Sequence, residues 1–135
     1  MRRALLLVAF LTLGACQDNT GVSSLSSEDI TGTFSMRTVN GAAMPFTFQS
    51  GGGSVTVTAD VLTVLANGTW SEITSYTQTI NAQTTSGDSP DGGTWQRLGT
   101  SLVFRSTAGT AGYTGTFTGN GFTMSDGTYA FTFSK

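Results

Sequence analysis

Few side chains in this sequence are of the types that do covalent chemistry. The 135 residues contain one cysteine, Cys16, and no histidine. Histidine is the usual general base and the commonest metal ligand, so its absence leaves the serines and threonines without their ordinary activating partner. The chain also lacks a nucleophile elbow and a motif with closely paired carboxylates. We therefore expect a protein that is not an enzyme and that has no cofactor.

Two acidic residues lie in a polar, glycine-rich segment. Asp88 and Asp91, with Ser89 between them, fall within residues 81–93, which the sequence predicts to be the longest loop. Their oxygens are suitable ligands for calcium, but calcium takes about six to eight ligands and this spacing matches no known binding loop. Aspartate and glycine also favour turns because of their backbone preferences, whether or not a metal is bound. The sequence therefore predicts no metal site.

A predicted strand carries a charge on its apolar face. Glu72 shares that face with Trp70 and Tyr76, and the hairpin register described below turns it inward together with Gln78. A charge on a core-facing position is costly unless it is paired or hydrated. Glu72 is thus either a polar contact inside a ligand cavity or a strand-end or bulge residue turned to solvent.

Arg97 lies on the same strand face as Trp95, near the end of its strand. If the strands close into a barrel, as predicted below, Arg97 would lie near one end of it. There it would bind an anionic ligand at the mouth of the barrel, stack on an aromatic ring, or extend along the rim towards water. The candidate cavity residues are Trp70, Glu72, Tyr76, Gln78, Trp95 and Arg97.

The C-terminal third has the clearest strand pattern. Large apolar residues alternate with threonines, and Gly119-Asn120 and Asp126-Gly127 each predict a two-residue hairpin turn. The cross-strand pairs this register predicts are Phe117–Phe122, Phe122–Phe131 and Met124–Tyr129. All the large apolar side chains then share one face, as expected for one buried side of a sheet.

Three further turns organise the rest of the chain. Asn67-Gly68 predicts a two-residue turn that pairs Leu65 with Trp70, and Gly99-Thr100 predicts one that pairs Trp95 with Phe104. The first register directs a set of side chains of the strand before this turn inward: Val55, Val57, Ala59, Val61 and Leu65. The first strand ends at Asn40-Gly41, and residues 45–49 predict a short second strand.

The fold class follows from composition and these turns. Threonine occurs 25 times and proline twice, and no helix is expected beyond the N-terminal segment. We predict an all-β, antiparallel up-and-down meander of 8–9 strands that closes into a small β-barrel, because closure removes exposed sheet edges. A sandwich is the alternative, but it usually needs longer crossing connections.

The N-terminus has the pattern of a secretory signal peptide. Arg2 and Arg3 precede an apolar run that is shorter than the roughly 20 residues needed to span a bilayer. The run ends at Leu13-Gly14-Ala15-Cys16, which resembles the lipobox of bacterial lipoproteins. The resemblance implies cleavage before Cys16 and a lipid on its thiol, and Gln17 in place of aspartate favours the outer membrane.

Three segments are therefore expected. Residues 1–15 form the signal peptide, residues 16–29 the lipidated cysteine and a flexible tether, and residues 30–135 the barrel domain. The mature chain has four basic and eight acidic residues, a net charge of −4. Binding to nucleic acid needs a basic face, so that partner class is not expected.

Several short motifs together resemble a family of small bacterial lipoproteins with a lipocalin-like domain. The matching segments are residues 32–34, 39–45, 61–70, 93–95, 113–115 and 129–131. The resemblance implies a lipocalin-like barrel with a pocket for a small hydrophobic ligand. The alternative is a structural or protein-interaction module of the cell envelope, with a filled core and no ligand.

Overall fold

A computed structural model describes residues 30–109 and 112–135, so the predicted signal peptide, Cys16 and the tether lie outside the described residues. Among the described residues, no helix is long and apolar enough to cross a membrane. The ten strands of this part of the chain are β1 Gly32–Val39, β2 Ala42–Ala43, β3 Phe46–Ser50, β4 Gly53–Val64, β5 Thr69–Ile80, β6 Gln83–Leu98, β7 Ser101–Ser106, β8 Gly112–Phe117, β9 Gly121–Ser125 and β10 Ala130–Ser134.

Eight of the strands form a closed antiparallel barrel. Strands β4 to β10 pair in chain order, β10 pairs with β1, and β1 pairs with β4 to close the circle. The other two strands are additions at the seam, where β2 pairs with β1 and β3 pairs with β4. The predicted all-β meander that closes into a barrel is confirmed, with two short seam strands raising the count to ten.

The seam between β1 and β4 is paired over only part of its length. Gly32–Ser35 pair with Val61–Val64, and beyond these residues each strand takes its own short partner instead. The barrel therefore has a closed end, where β1 and β4 are paired, and an open end, where they diverge.

A β-bulge lies near the point of divergence in each seam strand. The register of β4 shifts around Thr58, and that of β1 shifts between Met36 and Thr38. An extra residue reverses the inward and outward alternation of a strand. Val57 and Asp60 therefore both face the interior although they are three residues apart.

Aromatic side chains fill the closed end. The ring of Phe122 lies 4.5 Å from that of Phe34 and 5.9 Å from that of Phe104, measured between centroids, and both contacts are edge-to-face. The buried cluster around these rings comprises Ile30, Phe34, Leu62, Val64, Trp70, Leu102, Phe104, Phe117, Phe122, Met124 and Phe133. Because Ile30 belongs to it, the chain enters the barrel at this end.

The predicted register of the Asn67-Gly68 hairpin is wrong by one residue. Val64, and not Leu65, lies opposite Trp70. The loop has three residues: the Gly68 amide donates to the Leu65 carbonyl, and only Gly68 has a positive φ, of 84°. This is a type I turn followed by a left-handed glycine. The shift leaves Val61 and Leu65 exposed and buries Leu62 and Val64 instead.

The predicted loop at residues 81–93 is also wrong, because most of it is strand. Asn81 and Ala82 both have positive φ, which makes a tight two-residue turn, and β6 begins at Gln83. Twelve residues of β6 then pair with β5, from Gln83 opposite Ile80 to Thr94 opposite Thr69.

The turn at Asp126-Gly127 is longer than predicted, whereas the other C-terminal turns are confirmed. The Asp126 carboxylate accepts hydrogen bonds from the amides of Thr128 and Tyr129, which holds a four-residue loop. Phe122 therefore pairs with Phe133, and Met124 with Phe131. The predicted partners are wrong by two residues. Because side chains alternate between the two faces of a strand, a shift of two leaves each side chain on the face that was predicted. The pairs Phe117–Phe122 and Trp95–Phe104 are as predicted.

Candidate functional site

The open half of the barrel contains a cavity. Its volume is about 180 Å³, and it lies where the bulged segments of β1 and β4 diverge. The lining residues are Met36, Val39, Phe48, Val57, Asp60, Glu72, Thr74, Tyr113, Met124, Phe131 and Phe133. The walls are thus mostly apolar, with four polar side chains among them, which is the usual composition of a small-molecule site.

Asp60 is the most deeply buried polar residue of this cavity. Its side chain is 4% exposed, and its Oδ2 accepts a 2.8 Å hydrogen bond from the Thr74 hydroxyl. Its Oδ1 is buried and, apart from the Glu72 carboxyl, has no hydrogen-bond partner among the described residues. An unpaired buried carboxylate oxygen is costly, and such groups cluster at sites that receive a ligand, water or ion.

Glu72 lies beside Asp60 on the neighbouring strand. It pairs with Leu62 of β4 on one side and with Asp91 of β6 on the other. Directly opposed residues in a sheet share a face, so Asp91 faces the same side as Glu72. Asp91 is held in place because its Oδ1 accepts hydrogen bonds from the Ser106 hydroxyl, at 2.6 Å, and the Gly92 amide, at 2.7 Å.

The neighbourhood of these acids disfavours negative charge. Burial, followed by repulsion from Asp60 and then from Asp91, raises the pKa of Glu72 to about 9. Burial also raises the pKa of Asp60, against the opposing effect of hydrogen bonds from Thr74 and Glu72. The raised pKa favours the protonated form of Glu72 at neutral pH, in which its carboxyl can donate a hydrogen bond.

Tyr113 completes the polar part of the cavity wall. Its ring packs edge-to-face against Trp70, with 6.3 Å between centroids, so the cavity adjoins the packed core directly. Burial, and then the charges of Glu72 and Asp91, raise the pKa of its phenol. The phenol therefore stays neutral up to alkaline pH and presents an O–H group.

Aromatic rings surround the mouth. The ring of Phe48, on β3, lies 4.9 Å from that of Tyr129 and 4.8 Å from that of Phe46, and both contacts are edge-to-face. Tyr129 in turn lies 6.3 Å from Phe131, which lines the cavity. The seam strand β3 thus supplies an apolar cover across the gap that β1 and β4 leave open.

The structure places three of the predicted cavity residues in or beside this site. Glu72 lines the cavity itself. Tyr76 and Gln78 line a shallower depression farther out on the same sheet, which shares Val57 and Thr74 with the cavity. The Tyr76 ring packs over Gly87 of β6, where a side chain would lie 3.2 Å from the phenol oxygen.

The other three predicted residues lie towards the closed end. Trp70 is 4% exposed in the core, and its indole N–H donates to the Thr94 carbonyl at 3.1 Å. Trp95 donates to the Leu65 carbonyl at 2.9 Å, and the Arg97 Nε donates to the Gly99 carbonyl at 2.8 Å. Trp95 is four positions beyond Asp91 along β6, about 13 Å at the strand rise. Trp95 and Arg97 are thus not brought together with Glu72.

Asp60 was missed by the sequence analysis, which directed its neighbours Ala59 and Val61 inward. A three-residue loop at Asn67-Gly68 would have placed Asp60 inside, in phase with Leu62 and Val64. Asp88 lies on β6 and accepts a 2.7 Å hydrogen bond from the Ser75 hydroxyl. In the part of the chain that the structure describes, no group of three or more acidic, histidine or cysteine side chains is arranged to hold a metal ion.

Comparison of the chain with protein-family models, with curated proteins and with solved structures found no match in any of the three.

Proposed function

We propose that this chain is a lipid-anchored protein of the bacterial cell envelope whose lipocalin-like barrel binds a small hydrophobic ligand, without catalysis. The observation that carries the proposal is the cavity of about 180 Å³ at the open end of the barrel. Eight-stranded barrels are just wide enough to be filled by side chains or to hold one small ligand. This barrel is filled at one end and hollow at the other.

The size of the cavity limits the ligand. An apolar cavity of about 150 Å³ in another protein accommodates benzene. A cavity of about 180 Å³ therefore fits a molecule of roughly six to ten non-hydrogen atoms. The aromatic side chains Phe48, Phe131 and Phe133 supply apolar contacts for such a molecule.

A pair of substitutions on β4 tests binding in the cavity. Val57 is 8% exposed and lines the cavity, whereas Val61 is 37% exposed on the outside of the barrel. Val57→Phe should occupy part of the cavity and weaken binding of toluene, indole or 1-hexanol by about tenfold or more. Val61→Phe, the matched control, should leave binding unchanged. The measurement is an NMR or calorimetric titration of the mature protein in detergent micelles, with empty micelles as background.

The outcomes of this titration are separable. Equal affinities for Val57→Phe and Val61→Phe would show that binding occurs elsewhere. No binding of any small apolar molecule by the wild-type protein would contradict the ligand-binding function.

The proposed anchor is the lipid on Cys16. A flexible tether of residues 17–29 would have a root-mean-square length of about 20 Å. It leads to Ile30, which is buried at the closed end of the barrel. The closed end is therefore the end nearest the tether, and the mouth of the cavity is the far end. This arrangement favours a ligand that arrives from the aqueous side of the envelope.

Metabolic labelling tests the anchor. Wild-type protein should incorporate radioactive palmitate, fractionate with the outer membrane and accumulate as a precursor when cells are treated with globomycin. Cys16→Ser removes the only thiol in the chain and should abolish labelling completely. Ser24→Ala, a control in the tether, should be labelled like the wild type. Absence of label from the wild-type protein would contradict the anchor.

A protein-interaction module of the envelope is the second candidate function. Val61 and Ile73 are cross-strand partners on the outside of the barrel, and they are 37% and 53% exposed. Exposed apolar pairs of this kind occur at protein interfaces. Cross-linking in cells, compared between the wild type and Val61→Ser with Ile73→Ser, would reveal such a partner. Loss of a cross-linked species in the double variant, together with no ligand binding, would favour this function.

A further inference from the structure

We propose that the ligand of this cavity carries a protonated amine, which binds between Asp60 and Glu72 while its hydrocarbon part contacts the apolar walls. The proposal rests on the proposed function and adds the chemical class of the ligand. It assigns Asp60 and Glu72 as the binding residues for the amine.

Asp60 has a buried carboxylate oxygen that faces the cavity with little to bond it. Asp60 is 4% exposed and lines the cavity, and apart from the Glu72 carboxyl no group of the described residues hydrogen-bonds its Oδ1. The other oxygen of the same carboxyl is fixed by Thr74 at 2.8 Å, so the orientation of the group is set. A ligand with N–H or O–H groups would supply the missing hydrogen bond.

The charged groups around the polar wall of the cavity are acidic. The residues that act electrostatically on Glu72 are Asp60 and Asp91, both of which are acidic. Tyr113, across the cavity, is likewise affected by the charges of Glu72 and Asp91. An anionic ligand would add to this repulsion, whereas a cation would relieve it. The polar wall of the cavity therefore discriminates against fatty acids and other carboxylates.

The proton on Glu72 is one that an ammonium group can replace. Asp60 is buried and Glu72 is half-buried. The raised pKa of Glu72 favours a form in which Glu72 holds a proton and hydrogen-bonds to Asp60, which relieves the repulsion between the two acids. An ammonium group has a positive charge and three N–H donors, so it can replace that proton and bond both carboxylates. A neutral alcohol offers one donor and leaves Glu72 protonated. Amine binding should accordingly release a proton, in an amount up to about one per ligand.

The experiment compares three ligands of one chain length and different charge. Hexylamine, 1-hexanol and hexanoate are titrated calorimetrically into the mature protein in detergent micelles at pH 7.5. We expect hexylamine to bind about tenfold or more tightly than 1-hexanol, since a hydrogen bond to a charged group is worth that factor. Hexanoate should bind most weakly. Repeating the hexylamine titration in buffers of different ionisation enthalpy measures the released proton.

Conservative variants assign the effect to the pair. Glu72→Gln and Asp60→Asn should each lower the affinity for hexylamine by about tenfold or more and leave that for 1-hexanol within about threefold. Asp88→Asn is the matched control, because Asp88 is an exposed aspartate bound to Ser75 outside the cavity. It should change neither affinity. If Asp60→Asn fails to fold, the affinity of Glu72→Gln for hexylamine alone tests whether the acid pair binds the amine.

The failures of this inference and of the proposed function are distinguishable. If 1-hexanol binds as tightly as hexylamine, the amine inference is overturned while ligand binding stands. An amine preference that persists in both carboxyl variants overturns the assignment to Asp60 and Glu72. If none of the three molecules binds, ligand binding itself fails and the amine inference fails with it.

Discussion

Replacing Phe122 with alanine should lower the free energy of unfolding by about 3–5 kcal/mol, the usual cost of removing a large buried aromatic side chain. Phe122 is 1% exposed, and its ring touches those of Phe34, Phe104 and Phe117, at centroid distances of 4.5, 5.9 and 5.3 Å. These partners come from β1, β7 and β8. The cavity left by the substitution would therefore weaken contacts across the whole closed end.

The adjacent residue provides the control. Thr123 is exposed and faces outward from β9, so Thr123→Ala should cost less than about 1 kcal/mol. Both values can be measured by chemical denaturation with fluorescence detection, since Trp70 lies in the same cluster. Similar losses from Phe122→Ala and Thr123→Ala would contradict the inward and outward assignment of β9.

Where turn chemistry was unambiguous, the sequence predicted the pairing of strands. Gly119-Asn120 is a two-residue turn with glycine at the left-handed position, φ 90°, and Phe117 lies opposite Phe122 as predicted. Asn40-Gly41 has positive φ at both residues, 50° and 81°, and ends the first strand as predicted, although its pairing of Val39 with Ala42 was not predicted. In such turns the loop length alone fixes the register.

The predicted strand register was wrong where hydrogen bonds from a side chain changed the length of the turn. At Asn67-Gly68 the Asn67 carboxamide oxygen accepts hydrogen bonds from the amide and hydroxyl of Thr69, at 3.0 and 2.6 Å, and this favours a longer loop. The same dipeptide at Asn40-Gly41 makes the shorter turn. The two cases differ in hydrogen bonds that depend on the folded neighbourhood, so a dipeptide rule cannot separate them.

For the site, the inward position of Glu72 follows from its place in β5 alone. Glu72 is two residues from Trp70 on the same strand, so both side chains lie on the same face of the sheet. An error in the register of the hairpin does not change this. The position of Asp60 depends on the register of β4, and that of Val57 depends further on the bulge at Thr58. A bulge has no strong sequence signature here, and the cavity depends on it. The cavity was therefore not predictable in detail.

The acid pair also determines how stability depends on pH. The pKa of Glu72 rises from 4.5 to about 9 on folding. Between these values the folded state holds a proton that the unfolded state has released, so the free energy of unfolding falls as pH rises. The raised pKa of Asp60 acts in the same direction. Asp91 and Tyr113 also lie near the pair: the repulsion from Asp91 raises the pKa of Glu72 further, and the raised pKa of Tyr113 keeps its phenol neutral in this range, so neither reverses the sign.

The wild-type protein should accordingly be more stable at pH 5 than at pH 8. One proton gives a slope of at most about 1.4 kcal/mol per pH unit, so the contribution of Glu72 over this range is at most about 4 kcal/mol. Glu72→Gln keeps the shape of the side chain and its donor but cannot ionise. It should flatten the slope and make the variant the more stable protein at pH 8. Asp88→Asn, exposed on β6, should keep the wild-type slope. Urea denaturation at pH 5, 6.5 and 8 measures all three proteins, and a wild-type slope retained by Glu72→Gln would show that the pH dependence does not come from a proton on Glu72.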